Sequence, residues 1–266
     1  MTRSDTALLV CENVSKHYGS LKAVDGLSLS LAPGEVLGIG GPNGAGKTTL
    51  FDVITGIAPA TQGRVLVQGQ DVTSATPDRI CQLGLVRTFQ LNAAFDSLSV
   101  RDNIQLAAYF GRPRKGLPGF RFGPDALRRS EAAIELLGLG DAAGRTAGEL
   151  PVLERKLLMI ASAVATDPRV VLLDEPVGGL NPHEIDRVVE VVQKLRAQGI
   201  TVVLIEHVMR FLLQLSSRVM IMHQGRSIYE GPPRGVPEDP KVVETYLGAA
   251  TTKRLQRFFE AGAAHG

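Results

Sequence analysis

Leu27, Leu29 and Leu31 alternate with Ser28, Ser30 and Ala32, the period-two pattern of a strand with one face buried. After Gly34 the chain runs Glu35-Val36-Leu37-Gly38-Ile39, a short apolar strand that passes straight into a glycine-rich turn. A helix is expected from Thr48 to Ile57, and a returning strand from Arg64 to Gln68. Two unbroken apolar runs, Val170 to Leu173 and Thr201 to Ile205, have the length and β-branched content of parallel strands buried on both faces. Between them, Ile185, Val188, Val189, Val192 and Leu195 recur at helical spacing across Pro182 to Gln198. The middle of the chain differs. From Val100 to Val164 the pattern is helical, broken at Gly111 to Pro124 by a stretch rich in Gly, Pro and Arg. Arg218 to Glu230 reads as a hairpin turning at Gln224-Gly225. The pattern predicts one α/β domain over residues 1–248, its core about 8–90 and 165–235, with a helical insertion about 91–164 and a tail at 249–266.

With 266 residues, 44% of them hydrophobic, the chain can bury a sizeable core in one large domain or two modest ones. A formal charge of +2 does not indicate a protein that generally coats nucleic acid, and no nucleic-acid partner is expected. Cys11 and Cys81 lie far apart and read as reduced thiols. Met1 to Thr6 lacks the apolar stretch of a signal peptide, so none is expected. No apolar run approaches the roughly 20 residues of a membrane helix. Service to a membrane is expected from its surface, through a partner.

Gly41-Pro42-Asn43-Gly44-Ala45-Gly46-Lys47-Thr48 satisfies GxxxxGK(S/T) between a predicted strand and a predicted helix, with Thr49 beside it. Glycines let backbone N–H groups curl around a phosphate, and the helix N-terminus adds a favourable dipole. Lys47 is placed to reach β- and γ-phosphates and the Thr48 hydroxyl to ligate Mg²⁺. By chance the four fixed positions match in about one chain in a hundred of this length. Downstream, Val170-Val171-Leu172-Leu173 ends in Asp174 and Glu175. The first acid suits a Mg²⁺ ligand and the second suits orientation or deprotonation of an attacking water.

With Gln90, the Gly179-Leu180-Asn181 loop and His207 added, the chain resembles the nucleotide-binding subunit of an ABC transporter over roughly Leu8 to Gly248. The resemblance implies a P-loop NTPase fold of the ABC ATPase type: an α/β core with a mixed sheet, an antiparallel β subdomain and an inserted helical subdomain. It implies ATP and Mg²⁺ as nucleotide and metal. It matches Tyr18 to the aromatic residue that stacks on adenine. Gln90 matches the glutamine that senses Mg²⁺ and γ-phosphate and links to the membrane subunit. His207 matches the switch histidine that contacts the γ-phosphate. The bland alternatives, an edge-strand aromatic for Tyr18, a polar loop residue for Gln90 and a strand-end histidine for His207, are disfavoured by the order and spacing of all three relative to Lys47 and Asp174. Arg87-Thr88-Phe89-Gln90, Gly178-Gly179-Leu180-Asn181-Pro182 and Glu244-Thr245-Tyr246-Leu247-Gly248 are similar in wording to the branched-chain amino-acid importers and to the related urea and amide importers. That implies integral-membrane permease subunits, a periplasmic or extracellular solute-binding protein acting indirectly, and a place on the cytoplasmic face of the membrane.

One motif departs from the family. Leu150-Pro151-Val152-Leu153-Glu154 stands where LSGGQ is expected, the loop that completes the nucleotide site of a partner subunit. Pro151 lacks the serine hydroxyl and a backbone N–H, although proline is tolerated in a helix's first turn. Leu153 brings a branched side chain where close backbone approach is wanted. Glu154 adds negative charge, with Arg155 and Lys156 beside it to offset it. Losing one or two charge-assisted hydrogen bonds, each worth about 1.5–3 kcal/mol, slows turnover by about one to three orders of magnitude. The other outcome is that remaining backbone N–H groups suffice. The altered loop beside intact Lys47, Asp174, Glu175 and His207 predicts pairing with an unlike second ATPase subunit.

Two competing readings are a non-transport ABC ATPase of DNA repair or translation and a regulatory subunit with little turnover. Long coiled-coil insertions, zinc modules or tandem cassettes would mark the first, and the chain has none. Intact Glu175 and His207 argue against the second. Arg112, Arg114, Lys115 and Arg121 read either as a headgroup-binding loop or as a solvated one. Leu255, Phe258 and Phe259, among Lys253, Arg254 and Arg257, read either as a docking helix or as a frayed tail.

Overall fold

The computed structural model describes residues 7–88, 94–112 and 122–263. β1 (Leu9–Tyr18) and β2 (Leu21–Leu31) form a hairpin, and β3 (Val36–Gly40) leads through the glycine loop into α1 (Lys47–Ile54). β4 (Gln62–Val67) and β5 (Gln70–Asp71) follow, then α2 (Pro77–Gln82) and β6 (Leu85–Arg87). Three helices, α3 (Val100–Phe110), α4 (Pro124–Leu137) and α5 (Val152–Ala165), pack on one another. The chain returns through β7 (Val170–Asp174), α6 (Pro182–Ala197), β8 (Thr201–Ile205), α7 (Met209–Leu215), β9 (Arg218–His223) and β10 (Arg226–Gly231). It continues as α8 (Pro240–Val242), a π turn at Val243–Leu247 and α9 (Gly248–Ala263).

The strands make two sheets. One is antiparallel, in the order β2-β1-β4-β5. The other is mixed, β10-β9-β3-β8-β7-β6, parallel except for β10 at its edge. Successive strand residues point to opposite faces, which explains why the central strands have no polar side. Val171, Leu173, Val202 and Leu204 face the core shared with the helices. Val170, Leu172, Val203 and Ile205 face the core between the two sheets. A residue run that must satisfy two apolar layers is apolar throughout.

Local chemistry sets the element ends. Asn181 accepts the Glu184 N–H at 3.1 Å while the Glu184 carboxylate accepts the Asn181 N–H at 2.8 Å, a capping box ahead of Pro182. Val188, Val189, Val192 and Leu195 then form the buried stripe of α6. α1 ends three residues before the expected Ile57. There the Thr55 hydroxyl donates to the Phe51 carbonyl at 2.7 Å and Gly56 turns left-handed at φ 73. The predicted hairpin turns at Gln224 and Gly225, both at positive φ, but its first strand is a central strand parallel to β3.

α9 lies against the core, with Leu255 buried and the Phe258 ring 5.8 Å from the Arg210 guanidinium on α7. Arg112 donates to the Thr166 carbonyl at 3.2 Å and pairs with Asp167. Arg114, Lys115 and Arg121 lie outside the described residues.

Candidate functional site

The loop between β3 and α1 is shaped by what its glycines leave out. A Cβ on Gly41 would stand 2.1 Å from the Met222 carbonyl oxygen, and one on Gly46 2.0 Å from that of Ala23. Both residues also sit at positive φ, 138 and 99. The β9–β10 turn braces the loop from behind, with the Gly225 N–H donating to the Ala45 carbonyl at 3.0 Å. Gly46→Ala must push the loop off this backbone, at about 1–3 kcal/mol for the strained φ alone. The expected result is at least a tenfold weaker Kd in a fluorescent-nucleotide titration. An unchanged Kd would contradict the loop's assignment.

Lys47 is buried and curls back, donating to the Gly41 carbonyl at 2.8 Å and the Pro42 carbonyl at 2.9 Å. Burial pulls its ammonium below the ordinary lysine value, and the Glu175 and Asp174 carboxylates hold it up. The next residue, Thr48, is exposed at the N-terminal turn of α1, where backbone N–H groups have no intrahelical partner. A cleft of about 420 Å³ is lined by Tyr18, the loop from Asn43 to Thr49, Glu175 and Gln224. Tyr18, half exposed at the end of β1, presents a ring that Lys16 approaches to 4.9 Å from its centroid.

Asp174 ends β7 and accepts from the Arg87 guanidinium at 2.6 Å, while a second Arg87 nitrogen donates to Asp52 at 2.6 Å. Glu175 follows at φ 48, a left-handed conformation uncommon for a non-glycine residue. Its N–H donates to the Ile205 carbonyl at 3.0 Å, and its own carbonyl accepts the Lys156 ammonium at 2.9 Å. His207 stands beside it, Nδ1 4.0 Å from a Glu175 carboxylate oxygen. Lys47, Thr48, Thr49, Tyr18 and Glu175 thus share one cleft, Asp174 acts on Lys47 from the strand end, and His207 borders Glu175. Gln90 lies outside the described residues. The oxygen donors gathered here are the Thr48 hydroxyl and the two carboxylates, hard ligands of the kind Mg²⁺ takes, so the donor set fits that ion.

Leu150 to Glu154 do not line this cleft. Pro151 is the N-cap of α5, without a side-chain cap, and Arg155 makes the first helical bond back to it at 3.0 Å. The N–H groups of Val152, Leu153 and Glu154 are left as donors at an exposed helix start. Leu150 is buried and Leu153 packs on the core. The charge offset expected from Arg155 and Lys156 takes another form. Glu154 pairs with Arg145 at 2.9 Å, Arg155 pairs with Asp96, and Lys156 holds the Glu175 carbonyl.

Three residues of the site escape sequence reasoning. Arg87 enters there only as the first residue of Arg87-Thr88-Phe89-Gln90, with no role of its own. Glu206 reads as the polar end of an apolar strand, yet it is fully buried and accepts backbone N–H groups from Val177, His207 and Val208. Burial pushes its carboxyl above the ordinary value, and those donors together with His207 pull it back. Tyr246, in the π turn, has its phenol pushed up by burial and opposed by a hydrogen bond from the Gly41 N–H. A π turn near a site is a recurrent structural signal, but it has no spacing that sequence alone reveals.

The family described as ABC transporter matches residues 24–178. The chain is 34% identical over 252 residues to the high-affinity branched-chain amino acid transport ATP-binding protein BraF of Pseudomonas aeruginosa, covering 91% of this chain and 98% of that one. It is 35% identical over 252 residues to LivG of Escherichia coli K12, of the same description, with the same shares covered. Among solved structures, a nucleotide-free ATP-binding cassette from an ABC transporter superposes with a TM-score of 0.82 at 33% identity, covering 92% of this chain and all of that one. A cassette in its ADP conformation superposes with a TM-score of 0.81 at 34% identity, covering 92% of this chain and 100% of that one. A glycine-rich loop between a buried strand and a helix, two acids at the end of another buried strand and likeness over nine-tenths of the chain carry one conclusion: the chain belongs to the ABC transporter family, as one of its ATP-binding ATPase cassettes.

Proposed function

We propose that this chain is the ATP-hydrolysing subunit of an importer for branched-chain amino acids, docked beneath permease subunits on the cytoplasmic face of the membrane. The observation that carries the solute class is likeness over 91% of the chain to proteins described as branched-chain amino acid transport ATP-binding proteins. Among the described residues no helix is long and apolar enough to cross a membrane, which leaves the crossing to partners. A solute-binding protein on the far side acts on the chain only through those permeases.

In the cleft, Tyr18 stacks on the adenine ring. The backbone N–H groups of Gly44 and of Gly46 to Thr49, with the Lys47 ammonium, take the phosphates, and Lys47 exchanges its two carbonyl partners for phosphate oxygens. Thr48, Asp174 and Gln90 would hold Mg²⁺, which would supply positive charge against the phosphates. Glu175 orients a water in line with the γ-phosphorus and takes its proton as the new P–O bond forms and the bond to the bridging oxygen breaks. His207, next to Glu175, donates to the γ-phosphate. The products are ADP and inorganic phosphate.

The second ATPase subunit is an unlike chain. Pro151 and Leu153 sit at the helix start that completes the partner's site, so the site fed by this loop is the weaker one. Pro151→Ser with Leu153→Gly supplies a hydroxyl cap and removes the branched side chain. Turnover of the assembled complex is expected to rise by about one to two orders of magnitude if that step limits the rate. No change in steady-state phosphate release would mean the three remaining N–H donors already suffice.

Transport is tested with the complete complex reconstituted in vesicles that enclose ATP. Uptake of labelled leucine is expected, and it should stop with Glu175→Gln. Uptake of urea or short amides in place of leucine would overturn the assignment of solute.

A further inference from the structure

Of Lys47, Asp174 and Glu206, the buried charged residues among the described residues, Glu206 is the one that the roles above leave unused, and it is 0% exposed. One carboxylate oxygen accepts the Val177 N–H at 2.9 Å, and the other accepts those of His207 at 3.0 Å and Val208 at 3.2 Å. Val177 lies two residues beyond Glu175 on the loop after β7, whereas His207 and Val208 begin the loop after β8. A single side chain therefore fastens the two loops that carry Glu175 and His207. Lys156 ties the first loop to α5 through the Glu175 carbonyl at 2.9 Å. The His207 Nδ1 stands 3.7 Å from Glu206 and 4.0 Å from Glu175, between the two acids.

Burying a carboxylate is costly unless its oxygens are satisfied. An apolar residue here would avoid that cost but would leave the buried Val177 N–H without its acceptor. Each of the three bonds ends on backbone, so what the carboxylate fixes is the course of the two loops relative to one another.

We propose that Glu206 is a positioning residue for hydrolysis, holding His207 and Glu175 at one fixed spacing. This rests on the reading of Glu175 as the water-orienting base and His207 as the γ-phosphate contact. Glu206→Gln is nearly isosteric but puts an NH₂ group where one oxygen accepts. Glu206→Asp keeps the charge but is one methylene too short to reach both loops.

In the assembled transporter, either variant is expected to lower kcat by about 10- to 100-fold, the scale set by misplacing reacting groups by an ångström or less. The KM for ATP should stay within about threefold, because the phosphate-loop contacts are untouched. The decisive arm is a double-mutant cycle. If Glu206 acts by holding His207 against Glu175, Glu206→Gln costs clearly less in a His207→Ala background than in the parent. Losses that multiply, or a kcat within twofold of the parent for both Glu206 variants, overturn the proposal and leave the site reading standing. A fully active His207→Ala removes the site reading and this proposal with it.

Discussion

Arg87→Met is expected to lower the unfolding free energy by about 3–5 kcal/mol, the loss typical of removing one partner from a buried ion pair. Arg87 has a side chain only 5% exposed, and it donates to Asp174, 4% exposed, and to Asp52, 28% exposed, at 2.6 Å each. Its guanidinium also lies 5.5 Å from the centre of the Phe51 ring. Methionine matches much of the bulk but leaves the Asp174 carboxylate without this cation. Asp52 is open enough to rehydrate, so the greater share of the cost falls on Asp174. Against a total stability of about 5–15 kcal/mol for a typical domain, the loss shows as a large drop in the urea midpoint. Adding Asp174→Asn to Arg87→Met should recover part of it, since the stranded charge goes with the carboxylate. A midpoint that does not move on Arg87→Met would mean that Lys47 alone balances the strand-end acid.

Glu175→Gln is expected to lower ATP turnover by about 10²- to 10⁴-fold, the range for loss of a general base. The neutral amide keeps the shape and cannot take the proton from water. ATP affinity should change by less than about threefold, because the phosphate contacts proposed for Lys47 and the loop N–H groups do not involve this carboxylate. Phosphate release under saturating ATP measures the first effect and an equilibrium nucleotide titration the second. Turnover within tenfold of the parent would remove Glu175 from the chemistry. The left-handed backbone at Glu175 adds a constraint on the choice of variant. Its φ of 48 is held by the bonds to Ile205 and Lys156, so glutamine, which leaves those backbone bonds in place, is a cleaner probe than glycine, which would relax the strain.

Much of the fold is legible because it repeats simple constraints. Runs such as Val170 to Leu173 are apolar since both faces of the central sheet are covered, and Asn181-Pro182 with Glu184 writes a helix start in three side chains. β1 is harder to see. Leu9–Tyr18 shows no clean alternation because its pairing with β2 is shifted at three places, which breaks the period of two. The phosphate loop is legible because its geometry excludes side chains at fixed positions, as Gly41 and Gly46 show. Arg87, Glu206 and Tyr246 are not. Arg87 meets Asp52 and Asp174 from 35 and 87 positions away, and no local spacing encodes such a pairing. Glu206 looks like a strand end because the feature that matters, three N–H groups converging on it, belongs to backbone. The altered loop at Leu150 to Glu154 was visible as a departure in residue type. That its charges pair within the chain, Glu154 with Arg145 and Arg155 with Asp96, is visible only in the fold.

The asymmetry between an intact cleft and an altered helix start is tested most directly in the assembled complex, by removing one base at a time. Glu175→Gln in this chain should remove most of the turnover, because on the proposed pairing its own cleft is completed by the partner's loop. The corresponding glutamate substitution in the partner should cost little, because on the same proposal that site depends on Pro151 and Leu153. Equal losses from the two substitutions, or the larger loss from the partner's, would contradict the division of labour between the two sites.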